Sequence, residues 1–156
     1  MMSSRPTRSL LLRFGRLSGS NRRVLAEALL SLTAASLAIR LLPFRRVAAR
    51  MGGRALDAKG PETGEAARAA NQCGWAVRAW ADRVPWRAVC FQRGLALHWM
   101  LRRRGIASVL HYGVAQSAAE GLRAHVWVSA NGRLVMGGEE APNYACLATF
   151  PPPAAS

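Results

Sequence analysis

The sequence contains few cysteines, and their spacing argues against two common kinds of site. The three cysteines, Cys73, Cys90 and Cys146, form an odd set without a Cys-x-x-Cys pair. A disulfide framework needs an even number of cysteines, and a zinc site needs closely spaced ligands. We therefore expect free thiols in a reducing cytoplasm, and neither a metal ion nor another cofactor.

Acidic residues are also scarce. The chain carries 22 Lys and Arg residues against 8 Asp and Glu, a formal net charge of +14, and Lys59 is the only lysine. Such a charge favours an acidic partner, a membrane surface or nucleic acid. A general compositional bias toward Arg and Ala explains it equally well. The arginines form short clusters without an aromatic-studded basic motif, so no nucleic-acid partner is expected.

Long apolar runs are absent as well. The run from Ala28 to Ile39 ends at Arg40 and lacks about six of the roughly 18 to 20 residues that span a bilayer. Arg45 and Arg46 follow where a signal peptide would have a small-residue cleavage site. The sequence therefore predicts neither a membrane span nor export.

The length and composition predict one domain. A chain of 156 residues with 51% hydrophobic residues is sufficient for a single core. We expect a basic, partly ordered arm over residues 1–20, an N-terminal helical segment over 21–56 and the core of the domain over 61–150.

Apolar residues at helical spacing predict four helices, over 22–42, 44–51, 61–83 and 90–104. Asn21 is the expected N-cap of the first helix, and Pro43 ends it. Gly105 follows the last helix, where a left-handed cap is needed.

After Gly105 the pattern changes to the alternation of strands. The expected strands are 108–114 and 125–130, joined by a loop over 116–123. Asn131-Gly132 then predicts a tight type I′ turn that leads into a third strand, 133–136. Helices followed by an antiparallel sheet of at least three strands make the predicted fold class α+β.

Cys90 and His125 carry the chemistry that the sequence offers. Cys90 opens the last predicted helix after the rigid lead-in Pro85-Trp86, and a helix N-terminus favours the negative charge of a thiolate. His125 lies on a predicted strand, where an imidazole could take the thiol proton and pass it to a leaving amine. Cysteine on a helix before histidine on a strand is the order of papain-like and transglutaminase-like folds. The pair predicts a cysteine peptidase or acyltransferase.

The remaining candidate residues have supporting or structural roles. An oxyanion hole is expected to use the backbone N–H of Cys90, with Gln72 as a candidate side-chain donor. His98, in mid-helix, and His111, on the first strand, are interpreted as structural. Cys73 lies on an apolar helical stripe and is expected to be a buried structural thiol.

A third residue that orients the imidazole is harder to find. A two-residue turn at Asn131-Gly132 places Gly138 opposite His125 and Gly137 opposite the next residue, and neither glycine has a side chain to offer. Glu139 or Glu140 would reach the ring if the strand ended in a bulge. Otherwise these two residues form a solvated acidic loop, and a Cys–His dyad acts with a weak or backbone orienting group.

Several motifs, in order, resemble the B-protein leader peptidases of lasso-peptide biosynthesis. They are Cys90-Phe91-Gln92-Arg93-Gly94-Leu95-Ala96-Leu97, Leu101-Arg102-Arg103-Arg104-Gly105-Ile106, Tyr112-Gly113-Val114 and Ala124-His125-Val126-Trp127-Val128, and the Leu-rich first helix with its exit Leu41-Leu42-Pro43-Phe44 extends the match. The resemblance implies a transglutaminase-like fold, with Cys90 as nucleophile and His125 as base. It also implies an Asp twelve residues after the His, where this chain has Gly137.

The resemblance further implies a cytoplasmic cysteine peptidase of peptide maturation and antibiotic biosynthesis. Such an enzyme removes the leader from a ribosomally made precursor peptide and hands the core to an ATP-dependent lasso cyclase that closes a macrolactam. The small β-rich winged unit that recognises leaders is not visible in the helical first half, so a separate leader-recognition protein is implied as a partner.

Two other functions remain open at this point. One is a non-catalytic transglutaminase-like scaffold or binding module in a peptide-maturation complex, which Gly137 favours. The other is an Arg-rich nucleic-acid or membrane-surface protein, which rests only on the net charge.

Overall fold

Helices form the first part of the chain and an antiparallel sheet the second. A computed structural model describes residues 18–51, 64–117 and 121–152. The helices are α1 (Gly19–Leu41), α2 (Phe44–Met51), α3 (Gly64–Ala81) and α4 (Cys90–Arg103). The strands are β1 (Ser108–Ser117), β2 (Gly121–Ala130), β3 (Arg133–Met136) and β4 (Ala145–Phe150), with a short 3-10 helix at Ala141–Asn143. The predicted α+β class is confirmed.

The predicted segment boundaries fall largely outside the described part of the chain. Most of the expected arm, residues 1–17, and the join between the helical segment and the core, residues 52–63, are not described. The division into 1–20, 21–56 and 61–150 therefore stays a prediction.

Helix α1 begins three residues earlier than predicted, because Ser18 rather than Asn21 is its N-cap. The Ser18 hydroxyl accepts a hydrogen bond from the Asn21 N–H at 3.4 Å. Asn21 occupies the third helical position, whose N–H a capping serine typically binds. The helix ends at Leu41, just before Pro43, as predicted.

The full length of α1 changes one expectation. By length and composition alone, this 23-residue helix is long and apolar enough to cross a membrane, since its most apolar 18-residue window has a mean hydropathy of 1.7, and 39% of that window is buried within the protein. The predicted shortfall counted only the uninterrupted run from Ala28 to Ile39 and is wrong for the whole helix. Core helices and signal sequences meet the same criterion, so the expected absence of a membrane span stays a prediction.

Polar contacts anchor α1 to the domain along its length. Trp80 of α3 donates its indole N–H to the Leu25 carbonyl oxygen at 2.9 Å, and Trp86 donates to Ser36 Oγ at 3.0 Å. Because tryptophan buries a large apolar body while keeping one donor, each contact combines packing with a satisfied hydrogen bond.

A charged cluster fixes the relative direction of α1 and α4. Glu27 accepts hydrogen bonds from Arg104 at 2.9 Å and from Arg103 at 3.1 Å. The hydrogen bond from Arg104 is the main reason that the pKa of Glu27 lies below its usual value, although burial opposes the shift. Since Glu27 meets the end of α4 and Ser36 meets the segment before it, the two helices are antiparallel.

Helix α4 lies between the other helices and the sheet. It packs against α1 and α3 on one side and against β1 and β2 on the other. At Gly94 a Cβ atom would lie 2.6 Å from Val126 Cγ1 and 3.4 Å from Leu110 Cδ1. The absence of a side chain therefore lets helix and sheet approach closely. The largest fully buried side chains among the described residues include Leu32, Met51, Leu95, Leu97, Met100, Leu101 and Leu110.

The sheet is antiparallel, with the strand order β3-β2-β1-β4. Asn131 has φ of 48° and Gly132 has φ of 78°, so the predicted type I′ turn is confirmed. The β1–β2 pairing extends to Ser117 and Gly121. The predicted 116–123 loop is wrong, because its ends belong to the two strands.

Two further features of the sheet differ from the prediction. Strand β4, which pairs with β1, was missed. A bulge also interrupts β3, because Val128 pairs with Met136 whereas Ser129 pairs with Leu134, so Val135 is the extra residue. The bulge shifts the register by one residue. The pairing of Gly138 with His125 and of Gly137 with Val126, which assumed a regular hairpin, is therefore wrong.

His98 is a buried part of this framework, as predicted. Its side chain is fully buried, and Nδ1 forms a hydrogen bond with Ser108 Oγ at 3.0 Å. Burial, reinforced by the charge of Arg102, lowers the pKa of His98 to about 4. Between this pKa and the ordinary value of about 6.5, the unfolded chain binds a proton that the folded protein does not.

We expect His98 to make the protein sensitive to acid. The free energy of unfolding should fall as pH drops from about 6.5 toward 4, by on the order of 3 kcal/mol, because protonation then favours the unfolded chain. Denaturant unfolding at several pH values would measure the slope. The His98→Gln variant should lose most of this dependence, whereas His111→Gln should keep most of it. Equal slopes in the wild type and His98→Gln would contradict the assignment.

Candidate active site

Cys90 is the first residue of α4 and faces strand β2. Its side chain is half-buried, and Sγ lies 4.0 Å from the carbonyl oxygen of Ala124. Ala124 directly precedes His125 on the strand. The thiol therefore lies beside the backbone of the residue that precedes the predicted base, but no hydrogen bond of the described residues joins Sγ to the His125 ring. Val126 packs against α4 at Gly94, whereas His125 stacks with Trp127, and neighbouring residues of a strand point to opposite faces.

Side chains of α4 hold the segment that leads to Cys90. Arg93 donates through Nε to the Ala88 carbonyl at 2.8 Å and through Nη2 to Asp82 at 3.1 Å. Gln92, which is buried, accepts the Val89 N–H at 2.9 Å. These contacts fix the chain on both sides of residue 89 before the helix begins.

The start of α4 also provides backbone donors. Val89 occupies the N-cap position and forms no side-chain capping bond to the helix. The first N–H groups of a helix have no partner within it. The N–H of Cys90 is therefore suitably placed to donate to an oxyanion that forms at a carbonyl attacked by its own sulfur.

His125 is held through one of its two ring nitrogens. Nε2 lies 2.8 Å from the carbonyl oxygen of Gly137. A carbonyl oxygen only accepts, so Nε2 carries the proton in the neutral ring and Nδ1 has the free electron pair. Nδ1 is thus the atom of His125 that would act as a base.

Aromatic rings restrict the imidazole further. The ring centroids of His125 and Tyr144 are 5.0 Å apart, and those of His125 and Trp127 are 6.1 Å apart. Trp127 lies over Gly113, where a Cβ atom would come within 2.7 Å of the indole ring. No sequence pattern pointed to Tyr144. This residue lies in the irregular segment between β3 and β4, and its contact with His125 depends on how that segment folds back onto β2.

Gly137 combines two roles at the position where the resemblance implies an Asp. Its φ is +74°, and a Cβ atom there would lie 2.7 Å from the Val126 carbonyl oxygen and 3.2 Å from His125 Nε2. A side chain is therefore excluded by sterics and by backbone conformation. The chain turns so that a main-chain oxygen holds the imidazole instead of a carboxylate.

Glu139 and Glu140 lie beside the ring but are not its hydrogen-bond partner. Both are exposed and line a groove of about 440 Å³ together with His125 and Gly137. The nitrogen that a carboxylate would hold is bound to the Gly137 carbonyl. Arg78, which sequence reasoning did not single out, also lines this groove and donates to the Val135 carbonyl at 3.0 Å.

Gln72 does not accompany Cys90. Its amide Nε2 lies 2.6 Å from Asn21 Oδ1, near the first turn of α1. Because α1 and α4 are antiparallel, the start of α1 lies toward the end of α4 that is far from Cys90. The prediction that Gln72 is an oxyanion donor is therefore wrong. Its amide instead joins α3 to α1.

The other histidine and the other cysteines have different surroundings. His111 bonds through Nε2 to Ser129 Oγ at 2.9 Å, and burial lowers its pKa. Cys73 is buried, as expected, and Cys146 is exposed. Within 18–51, 64–117 and 121–152, no three or more His, Cys, Asp or Glu residues are grouped so that they could hold a metal ion.

An apolar pocket begins at the residue after Cys90. It has a volume of about 460 Å³ and is lined by Ile39, Leu42, Phe44, Val47, Phe91 and Tyr112. The polar groove at His125 and this apolar pocket have different chemistry. A peptide bound across Cys90 would therefore meet two distinct surfaces.

The Gly137 carbonyl contact can be tested by comparing two glycines. We expect Gly137→Ala to destabilise the protein by about 1–3 kcal/mol through crowding and positive φ, and to disturb the His125 ring. Gly132→Ala is the matched control, because its φ is +78° but nothing lies within 4 Å of the added Cβ.

Two measurements distinguish these variants. Thermal unfolding gives the stability change, and the ¹⁵N resonances of the His125 ring report which nitrogen carries the proton. Only Gly137→Ala should alter those resonances. If both variants leave them at wild-type positions, the Gly137 carbonyl does not fix the tautomer.

Comparison with known proteins supports the fold and its family. No curated protein and no solved structure matches the chain significantly. The model of the transglutaminase-like superfamily matches residues 29–149, a stretch that runs from within α1 to β4 and contains both Cys90 and His125. The superfamily includes cysteine peptidases. Because this match covers well over half of the sequence, the chain belongs to the transglutaminase-like superfamily.

Proposed function

We propose that this protein is a cysteine peptidase that removes the leader from a ribosomally synthesised lasso-peptide precursor. The observation that carries the proposal is the placement of Cys90 at a helix N-terminus beside the strand position that precedes His125. The bond from Nε2 to the Gly137 carbonyl adds to it, since it leaves Nδ1 as the basic atom.

The first half of the reaction forms a thioester. The sulfur of Cys90 attacks the carbonyl carbon of the scissile amide, and its proton passes to Nδ1 of His125. The oxyanion accepts a hydrogen bond from the Cys90 N–H. The C–N bond then breaks as Nδ1 returns the proton to the leaving amine, which becomes the new N-terminus of the core peptide.

The second half releases the leader. Nδ1 takes a proton from water as the water oxygen attacks the thioester carbonyl. The carbon–sulfur bond breaks, the leader leaves as a carboxylic acid, and the sulfur regains a proton. Throughout both halves the Gly137 carbonyl accepts from Nε2–H and thereby stabilises the charged ring.

The substrate class rests on the ordered motifs that resemble lasso-peptide leader peptidases. They are spread from α1 to β2 and include both reacting residues. The apolar pocket at Phe91 and the polar groove at Glu139 provide two surfaces for a peptide on either side of the site. The proposed setting is cytoplasmic, with a leader-recognition protein that delivers the precursor and an ATP-dependent lasso cyclase that takes the core.

A non-catalytic scaffold is the second candidate, and two observations favour it. Position 137 has no carboxylate, and the polar contact of the Cys90 sulfur is with the Ala124 carbonyl rather than with the imidazole. Catalysis requires Sγ and Nδ1 to meet, which needs a movement of the His125 segment as well as of the thiol, because Val126 packs on α4 and His125 stacks with Trp127. Catalytic hydrogen bonds are often long or poorly aligned in free enzymes and tighten when substrate binds.

Thiol reactivity separates the two candidates without any knowledge of the precursor. If His125 accepts the Cys90 proton, iodoacetamide should alkylate Cys90 faster than Cys146, since the thiolate is the nucleophile. Cys146 is the internal control, since it is the more exposed thiol. His125→Ala should remove the advantage of Cys90. If Cys90 reacts no faster than Cys146, the proposed peptidase chemistry is wrong, and the scaffold is the candidate that remains.

Cleavage of a lasso precursor by the protein with its leader-recognition partner then tests the substrate. Cys90→Ser should abolish cleavage, His125→Ala should slow it by roughly two to four orders of magnitude, and Cys146→Ser should retain it. A reactive Cys90 that cleaves no lasso precursor would leave the peptidase chemistry intact but refute the substrate class.

The acidic pair should matter little for turnover. Because Gly137 rather than a carboxylate holds His125, we expect Glu139→Gln, Glu140→Gln and the double variant to keep kcat near that of the wild type. Any effect should be on KM, since both side chains line the groove. A large loss of kcat in one single variant, with unchanged stability, would make that glutamate the orienting residue.

A further inference from the structure

Helix α1 has an apolar face that the rest of the domain does not cover. Leu30, Leu37 and Leu41 are 71%, 51% and 75% exposed, and Ala34 is exposed as well. We call these four residues the outer seam. The opposite face packs into the core through Leu25, Ala28, Leu32 and Ala35. Helices that are apolar all round are normally covered on all sides. The described residues do not cover the outer seam.

The spacing of the outer seam fits another helix. Its residues follow one another at intervals of four, three and four, which is the spacing of a and d positions in a coiled coil. From Leu30 to Leu41 the seam is about 16 Å long. It matches one face of a short helix better than a single apolar side chain.

Positive charge lies at both ends of the outer seam. Arg23 is exposed on the first turns of α1, Arg40 on its last turn, and Arg45 shortly after it. Between Arg23 and Arg40, α1 carries one charged residue, Glu27, and Arg103 and Arg104 already bind its carboxylate. A complementary helix would thus be apolar in the middle and acidic at its ends.

These charges argue against the other possible occupants. A second copy of α1, parallel or antiparallel, would bring arginine against arginine. The chain's own residues 1–17 contain four arginines and no acidic residue, so they would add like charge. Helices that lie on membranes carry basic residues along the polar face beside the apolar one, whereas here the exposed arginines flank only the ends.

We propose that the outer seam binds an amphipathic helix of a partner protein, with leucine-type residues in its centre and acidic residues in its terminal turns. This surface lies on the helix face that points away from α3 and α4, so it is separate from Cys90 and His125. The proposal holds whether or not the site is catalytic.

A pair of synthetic peptides tests the proposal on the full-length protein. The probe is a helical peptide with leucine at its a and d positions and glutamate in its first and last turns. The control peptide has arginine in place of glutamate. Fluorescence anisotropy should show that the glutamate peptide binds the wild-type protein at least about tenfold more tightly than the arginine peptide, a difference of about 1.4 kcal/mol.

Matched variants locate the binding surface. The double variant Leu30→Ser/Leu37→Ser should weaken binding by about tenfold or more, whereas Leu147→Ser, an exposed leucine on β4, should not. Thermal unfolding and the rate of Cys90 alkylation should stay unchanged in both variants. The single variant Leu37→Ser covers the case in which the double variant fails to fold.

Any one of five results would overturn the proposal. The glutamate peptide could bind no better than the arginine peptide, or equally well to the wild type and to a folded seam variant. Sedimentation could show a wild-type dimer that Leu30→Ser/Leu37→Ser dissociates, which would identify a second copy as the occupant. Finally, the seam could mediate binding to phosphatidylglycerol vesicles, or deletion of residues 2–17 could create peptide binding that the full chain lacks.

Discussion

The close approach of α4 to β2 is the constraint on which the site depends. At Gly94 the helix lies so near the sheet that a methyl group would meet Val126 at 2.6 Å. Gly94 is one turn after Cys90, so the contact sets the height of the thiol above the strand. The thiol then comes to the Ala124 carbonyl, one residue from His125. If this contact widened, the Cys90 sulfur would move away from the backbone of β2.

The second constraint is that a main-chain carbonyl, rather than a side-chain carboxylate, holds the imidazole of His125. Where the resemblance implies an acid, Gly137 adopts positive φ and presents its carbonyl to His125 Nε2. A carbonyl gives the imidazole its tautomer but no full negative charge, so it stabilises the charged ring less than a carboxylate does. The bulge at Val135 comes just before this turn, and the regular pairing of β2 with β3 ends at Val128 and Met136.

Local sequence patterns predicted much of the fold but not this register. The helical periodicity and Gly105 gave α4 to within one residue, and Asn131-Gly132 gave the turn, because both signals act over a few neighbouring residues. The bulge left no such signal, since an extra valine in β3 reads as normal strand sequence. Strand β4 was missed for a related reason, as its pairing with β1 joins distant segments.

The same limit applies to the candidate site. The positions of Cys90 at a helix start and of His125 on a strand were predictable from local patterns, whereas their catalytic roles stay a prediction. Gln72 was placed wrongly, since the sequence does not show that α1 runs antiparallel to α4 and takes Gln72 to its far end. Arg78 and Tyr144 were missed, because their nearness to His125 depends on how β3 and the 3-10 segment fold back.

Four of the five acidic residues within the described ranges lie at joints between elements or at the site, and the fifth, Glu65, is exposed on the first turn of α3. Glu27 joins α1 to the end of α4, and Asp82 holds Arg93 beside the lead-in to Cys90. Glu139 and Glu140 line the groove at His125. Since these acids are used at joints and at the site, the large arginine excess is left mostly at the surface. A net charge of +14 thus has little internal compensation, and acidic partners are the electrostatic complement of this protein.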